Sequence, residues 1–125
     1  MPVRVLLVDD EPMFLEALRA LLDRDDRVEI VGAADNSTEA MAIASSVHPD
    51  VALVDLRMPG MNGFDLTRAL LASEPALRVL AVSGLSHESD AQQALAAGAT
   101  AFLLKGGLHH EVADAIVAAA GPLHH

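Results

Sequence analysis

The chain has 125 residues, of which 52% are hydrophobic and only 2% aromatic, with a formal net charge of −10 and no cysteine. That length suits one domain whose core is built from aliphatic side chains. The charge excludes the basic footprint that nucleic acid or an anionic membrane requires, and the missing cysteines exclude disulfides and thiolate metal sites.

The first apolar run, Val3–Val8, leads straight into Asp9, Asp10 and Glu11. Adjacent carboxylates repel one another and need water, a proton or a cation. Pro12–Arg24 then places Phe14, Leu15, Leu18, Leu21 and Leu22 on one helical stripe, with Pro12 suited to the first turn. Val28–Val31 is a second apolar run, expected to end at Gly32. Asn36, with Glu39 three later, predicts a capping box for a helix over Thr38–Val47, and His48-Pro49 ends it. Val51–Val54 follows and stops at Asp55. A helix is expected over Gly63–Ala72, carrying Phe64, Leu66, Leu70 and Leu71. Val79–Val82 stops at Ser83, and Ser86 or Ser89 can cap a helix over Asp90–Ala97 that Gly98 terminates. Ala101–Leu104 stops at Lys105, and a last helix is expected from about Leu108 to Ala120, closed by Gly121-Pro122.

None of the five apolar runs alternates, so each is expected to be buried on both faces, as in a parallel sheet covered by helices. The alternation reads as (βα)5, an α/β doubly wound sheet over residues 1–120, with 121–125 a linker start or an added tail. No apolar run approaches the ~18 residues of a membrane helix, and no secretory leader is visible, which together predict a cytoplasmic domain without a membrane partner.

In open α/β sheets, ligands bind beyond the carboxyl ends of the strands. The residues there are Asp9 and Asp10 after the first run, Asp55 after the third, Ser83 after the fourth and Lys105 after the fifth. Lys105 is also the only lysine in a chain that otherwise uses arginine. Carboxylates form a hard-oxygen pocket suited to Mg²⁺, and an ammonium and a hydroxyl can hold an oxyanion. An aspartate can itself be the nucleophile. The set describes phosphoryl transfer to a carboxylate.

"LLVDDEP", "LVDLRMPGMNG", "LAVSG" and "FLLKGG" resemble the receiver domain of bacterial two-component response regulators, at intervals close to that family's and over nearly the whole chain. The resemblance implies a flavodoxin-like sheet of strand order 2-1-3-4-5. It implies Asp55 as phosphoacceptor, a Mg²⁺ site of Asp10, Asp55 and the Arg57 backbone carbonyl, and Asp9 acting through water. Ser83 and Lys105 would bind the phosphoryl group, and Ser83 with Phe102 would form a switch. Pro59, Gly60, Gly63 and Gly84 would shape the loops. A sensor histidine kinase is the implied donor, and the fourth-helix, fifth-strand and fifth-helix face would change to control an output. "AFLLKGG" is closest to receivers of the LuxR/NarL output type. That implies a DNA-binding output domain in the full-length protein, with transcription as the output and a second copy of the chain as a further partner. Two departures stand out. Gly106 takes the place of the family's usual proline after the lysine, and Phe102 lacks the hydroxyl of the commoner tyrosine.

Two other readings compete. A non-phosphorylated receiver-like interaction module would keep the fold and lose the chemistry. A Mg²⁺-dependent aspartyl-nucleophile phosphatase would share the chemistry, but it wants Asp-x-Asp after the first strand, where this chain has Asp9-Asp10-Glu11. Taken singly, the acids could be a solvated strand end, Ser83 a loop residue, Phe102 plain core, and His109 and His110 solvent-facing.

Overall fold

The computed structural model describes residues 2–58, 61–84, 88–107 and 111–121. Five parallel strands form one sheet: β1 (Val3–Val8), β2 (Val28–Ala34), β3 (Val51–Asp55), β4 (Arg78–Ser83) and β5 (Ala101–Leu104). Their order is 2-1-3-4-5, as the resemblance implies. Five helices alternate with them: α1 (Pro12–Leu22), α2 (Ser37–Val47), α3 (Gly63–Ser73), α4 (Glu88–Ala96) and α5 (Val112–Ala120).

The helices divide between the two faces, and each face has its own core. Leu6, Val8, Ala52, Val54, Val79 and Ala81 pack against α2, α3 and α4. Val5, Leu7, Val51, Leu53, Leu80 and Val82 pack against α1 and α5. Neighbouring residues of one strand serve opposite cores, which is why the runs are continuously apolar instead of alternating. Among the described residues no helix is long and apolar enough to cross a membrane.

Several boundaries differ from the sequence expectations. β2 does not end at Gly32 but continues to Ala34, because beyond a one-residue register shift that skips Val31 it stays paired with β1 as far as Val8. α1 stops at Leu22, and Arg24 lies beyond it: the Asp25 N–H bonds back to the Leu22 carbonyl and Asp25 Oδ1 accepts from the Arg27 N–H, which turns the chain into β2. That turn carries charge as well, and the Arg27 side chain holds Asp25 down to about 2. Asn36 caps α2 through the Glu39 N–H at 2.8 Å, but Glu39 Oε1 accepts from Asp35 and not from Asn36, so the box closes one residue early. Ser89 lies inside α4 and cannot be its cap, and Ser86 lies outside the described residues. Lys105–Gly107 forms a 3₁₀ turn, and the described part of the last helix begins at Val112 instead of near Leu108. Leu108, His109, His110, Pro59, Gly60 and 122–125 are also outside the described residues.

A cap that the sequence reading missed bears on the site. Asn62 Oδ1 accepts from the Phe64 and Asp65 N–H groups, which starts α3. Immediately before it, Arg57–Met58 pairs antiparallel with Met61–Asn62 in a two-residue ladder. The chain after β3 therefore doubles back tightly beside Asp55.

Candidate functional site at the carboxyl edge of the sheet

Asp9 follows β1, Asp55 ends β3, Ser83 ends β4 and Lys105 follows β5, so four strands deliver four polar residues to one edge. Parallel register makes this a direct consequence of the fold. Asp55 lies opposite Val82, one residue before Ser83, and Ser83 lies opposite Leu104, one residue before Lys105. Asp9, Asp55 and Ser83 are buried, at 2%, 3% and 0% exposure.

Lys105 is the hub. Its Nζ lies 2.9 Å from Asp9 Oδ2 and 3.2 Å from Asp55 Oδ2, and it also pairs with Glu11 Oε1. The ammonium sits 4.6 Å from the centroid of the Phe14 ring, so α1 supplies a cation–π contact as a further support. Asp9 Oδ1 accepts from the Glu11 N–H at 2.9 Å, and Asp55 Oδ1 accepts from the Arg57 N–H at 3.1 Å. Burial is the largest influence on the Asp55 carboxyl and raises its pKa, helped by the nearby Asp9 charge; the Arg57 N–H and Lys105 act the other way without cancelling it. Burial works against the charge on Lys105, yet the close Glu11 and Asp9 carboxylates and the field of Asp55 raise its pKa overall. The lysine is a permanent cation at any physiological pH.

Oxygens of Asp9, Glu11 and Asp55 lie within 4.8 Å of one another, and a single ammonium faces these three carboxylates. Asp9 Oδ2 is buried and accepts no hydrogen bond, because Lys105 approaches it at ion-pair distance but outside hydrogen-bonding angles. A buried carboxylate oxygen without a donor, in a pocket with excess negative charge, fits a divalent cation of the hard, oxygen-seeking kind.

The sequence-expected residues do not all meet. Asp9, Asp55 and Lys105 do, with Ser83 on the adjacent strand end. Asp10 is half-buried and is not among the carboxylates that converge. Phe102 is half-buried and packs on the core face of α2, α3 and α4. Gly63 lies directly beneath the phosphoacceptor candidate: a Cβ there would fall 2.5 Å from Leu56 Cα and 2.7 Å from the Asp55 carbonyl oxygen. Among the described residues, nothing lies within 4 Å of such a Cβ at Gly84. Glu11 and Phe14 were not singled out as site residues. Glu11 was visible in the acidic run, whereas the approach of Phe14 to Lys105 carries no sequence signal.

The raised Asp55 carboxyl has a measurable consequence. A carboxyl whose folded pKa is raised costs stability when ionised and nothing below its unfolded pKa, so stability should fall as pH rises through the folded value. Asp55→Asn removes that cost. In chelated buffer at neutral pH its unfolding midpoint should exceed the wild type's by a few degrees, about what 1 kcal/mol does in a domain of this size. A lower midpoint would mean that the Lys105 contact outweighs burial.

Comparison with known proteins agrees with this geometry. Residues 5–117 match the family model described as the response regulator receiver domain. The chain is 38% identical over 115 residues to the probable transcriptional regulatory protein NarL of Mycobacterium tuberculosis, covering 92% of this chain and 53% of that protein. It is 36% identical over 114 residues to the response regulator GacA of Pseudomonas viridiflava, covering 91% of this chain and 53% of the relative. The chain thus spans about half the length of these curated relatives. Among solved structures, the signal receiver domain of the putative response regulator NarL from M. tuberculosis superposes with a TM-score of 0.90 at 37% identity, covering 97% of this chain and 98% of the other.

Proposed function

The chain belongs to the response regulator receiver domain family, and from that premise we propose that it is a switch set by phosphorylation of Asp55. The observation that carries this reading is the meeting of buried Asp9 and Asp55 with the chain's only lysine. A sensor histidine kinase would be the donor. An oxygen of the Asp55 carboxylate attacks phosphorus, the phosphorus–nitrogen bond of the phosphohistidine breaks, and the imidazole keeps the electron pair. Burial serves this step, because a desolvated carboxylate with a raised pKa is the better nucleophile. The Arg57 N–H fixes one oxygen of the carboxylate and so orients the other. Lys105, already within reach of Asp55, places a full positive charge where the phosphoryl oxygens arrive. Ser83 donates its hydroxyl to one of them. Mg²⁺, when bound, would neutralise charge on the same oxygens; Asp55 and Asp9 would hold it, with Asp10 and the Arg57 carbonyl completing the set that the resemblance implies.

The response then runs through β4 and β5. Drawing Ser83 toward the phosphoryl group opens room for the half-buried Phe102 to turn inward, which reshapes the face of α4, β5 and α5. Phe102 has no hydroxyl, so this motion works by packing alone. The output is transcription, through a DNA-binding domain of the kind carried by the transcriptional regulators to which the chain is similar, in the cytoplasm and with a second copy as a further partner. The phosphatase reading lacks the Asp-x-Asp pattern, and the pure interaction module leaves the Asp9, Asp55 and Lys105 cluster without a purpose.

Incubation with Mg²⁺ and acetyl phosphate, followed by intact-mass measurement, tests the proposal. The wild type should gain the mass of one phosphoryl group, and Asp55→Asn and a chelated sample should not. Equal gain in Asp55→Asn would move the acceptor elsewhere, and failure to bind beryllofluoride as well would leave a receiver fold that signals by binding alone.

A further inference from the structure

Helix α4 is held to the sheet by little. Of its residues, only Asp90 and Ala94 are buried. Alanine offers a small contact, and Asp90 is a carboxylate in its first turn at 2% exposure. A buried carboxylate needs a cation or several donors. Among the described residues it has one cation: Arg57 Nη2 lies 2.6 Å and 2.7 Å from the two Asp90 oxygens. The same Arg57 donates its backbone N–H to Asp55 Oδ1, and its backbone is paired with Asn62 in the short ladder. One residue therefore touches the phosphoacceptor with its main chain and α4 with its side chain. The Arg57 side chain is 53% exposed, so it can leave Asp90 without disturbing the core.

We infer that the Arg57–Asp90 pair is a latch on α4, and that a phosphoryl group on Asp55 opens it by drawing the Arg57 guanidinium away from Asp90. The chemistry favours the exchange. A phosphoryl group carries nearly two negative charges and three acceptor oxygens, against one charge on Asp90, and guanidinium binds such a group in bidentate fashion. Once released, Asp90 is a buried charge without a counter-ion, and hydrating it requires the first turn of α4 to move outward. The latch thus couples the acceptor to the α4 surface along a path separate from Ser83 and Phe102. It makes Arg57 a positioning residue for α4 before phosphorylation and an oxyanion partner after it. The inference rests on the reading of Asp55 as phosphoacceptor.

Linkage gives the test. If Asp90 competes with the phosphoryl group for Arg57, removing the competitor must tighten binding of a phosphoryl mimic. Beryllofluoride is titrated at saturating Mg²⁺ into the wild type, Asp90→Asn, Arg57→Gln and the double variant. Asp90→Asn should bind about fivefold more tightly or better, the low end of coupling between linked sites. The gain should vanish when Asp90→Asn is made in the Arg57→Gln background. A gain that persists there would be a through-space charge effect and would overturn the latch, as would unchanged affinity in Asp90→Asn. Should Arg57→Gln fail to fold, with Asp90 stranded, amide exchange in the wild type decides: beryllofluoride should speed exchange across α4, and undiminished protection would overturn the latch. No binding by the wild type would overturn the phosphoacceptor reading and the latch with it; binding without the Asp90 effect would overturn the latch alone.

Discussion

Lys105→Met should lose about 3 kcal/mol of stability in chelated buffer at neutral pH, the low end of what buried charges left without a partner cost a fold. The substitution keeps the length and apolar stem of the side chain but removes the only ammonium facing Asp9, Glu11 and Asp55. Glu11 can turn to water, being exposed; Asp9 and Asp55 cannot. Two consequences separate this account from a mere packing loss. The deficit should shrink as pH falls, because protonating Asp55, whose pKa is already raised by burial, removes the repulsion. Millimolar Mg²⁺ should also restore more stability to the variant than it adds to the wild type, by binding the folded state alone. Denaturant unfolding with and without Mg²⁺ at two pH values measures both. A variant as stable as the wild type in chelated buffer would show that the carboxylates are hydrated rather than balanced by Lys105.

Gly63→Ala should destabilise the fold severely for a single methyl group, at about 3 kcal/mol. The added Cβ would meet Leu56 Cα at 2.5 Å and the Asp55 carbonyl oxygen at 2.7 Å, both backbone atoms that cannot swing aside. Either α3 withdraws from the sheet or the end of β3 shifts, and the second outcome moves Asp55 itself. A misplacement of that size can lower the rate of phosphoryl transfer about a hundredfold even in molecules that fold. Gly84→Ala is the control. It also lies beside the site, but among the described residues nothing stands within 4 Å of its added Cβ, so its stability should stay close to the wild type's. Thermal unfolding of the two variants side by side checks the contrast; equal midpoints would mean that α3 yields without cost.

Asp55 and Lys105 were legible in the sequence because they stand where apolar strands end. A continuous apolar run marks a strand buried on both faces, and parallel strands all point their carboxyl ends the same way. Finding five such runs therefore brings Asp9, Asp55, Ser83 and Lys105 to one edge before any coordinate is known. Helix and strand limits were less legible. Whether β2 stops at Gly32 or runs on to Ala34 depends on the length of β1 beside it, and Ser89, a candidate cap by pattern, lies inside α4.

What the sequence determined by itself was the order of the elements and the identity of the charged residues at their ends, because hydrophobic period and chain direction are local properties. What only the tertiary structure decided was which charges meet. Glu11 joins Lys105 while neighbouring Asp10 stays out of the cluster, and Arg57, just past β3, reaches Asp90 on a helix far along the chain. Such pairings depend on side-chain direction and on burial, which a carboxylate or guanidinium acquires only when the helices close over the sheet. The strength of each interaction is set at that moment by how much water the packing removes.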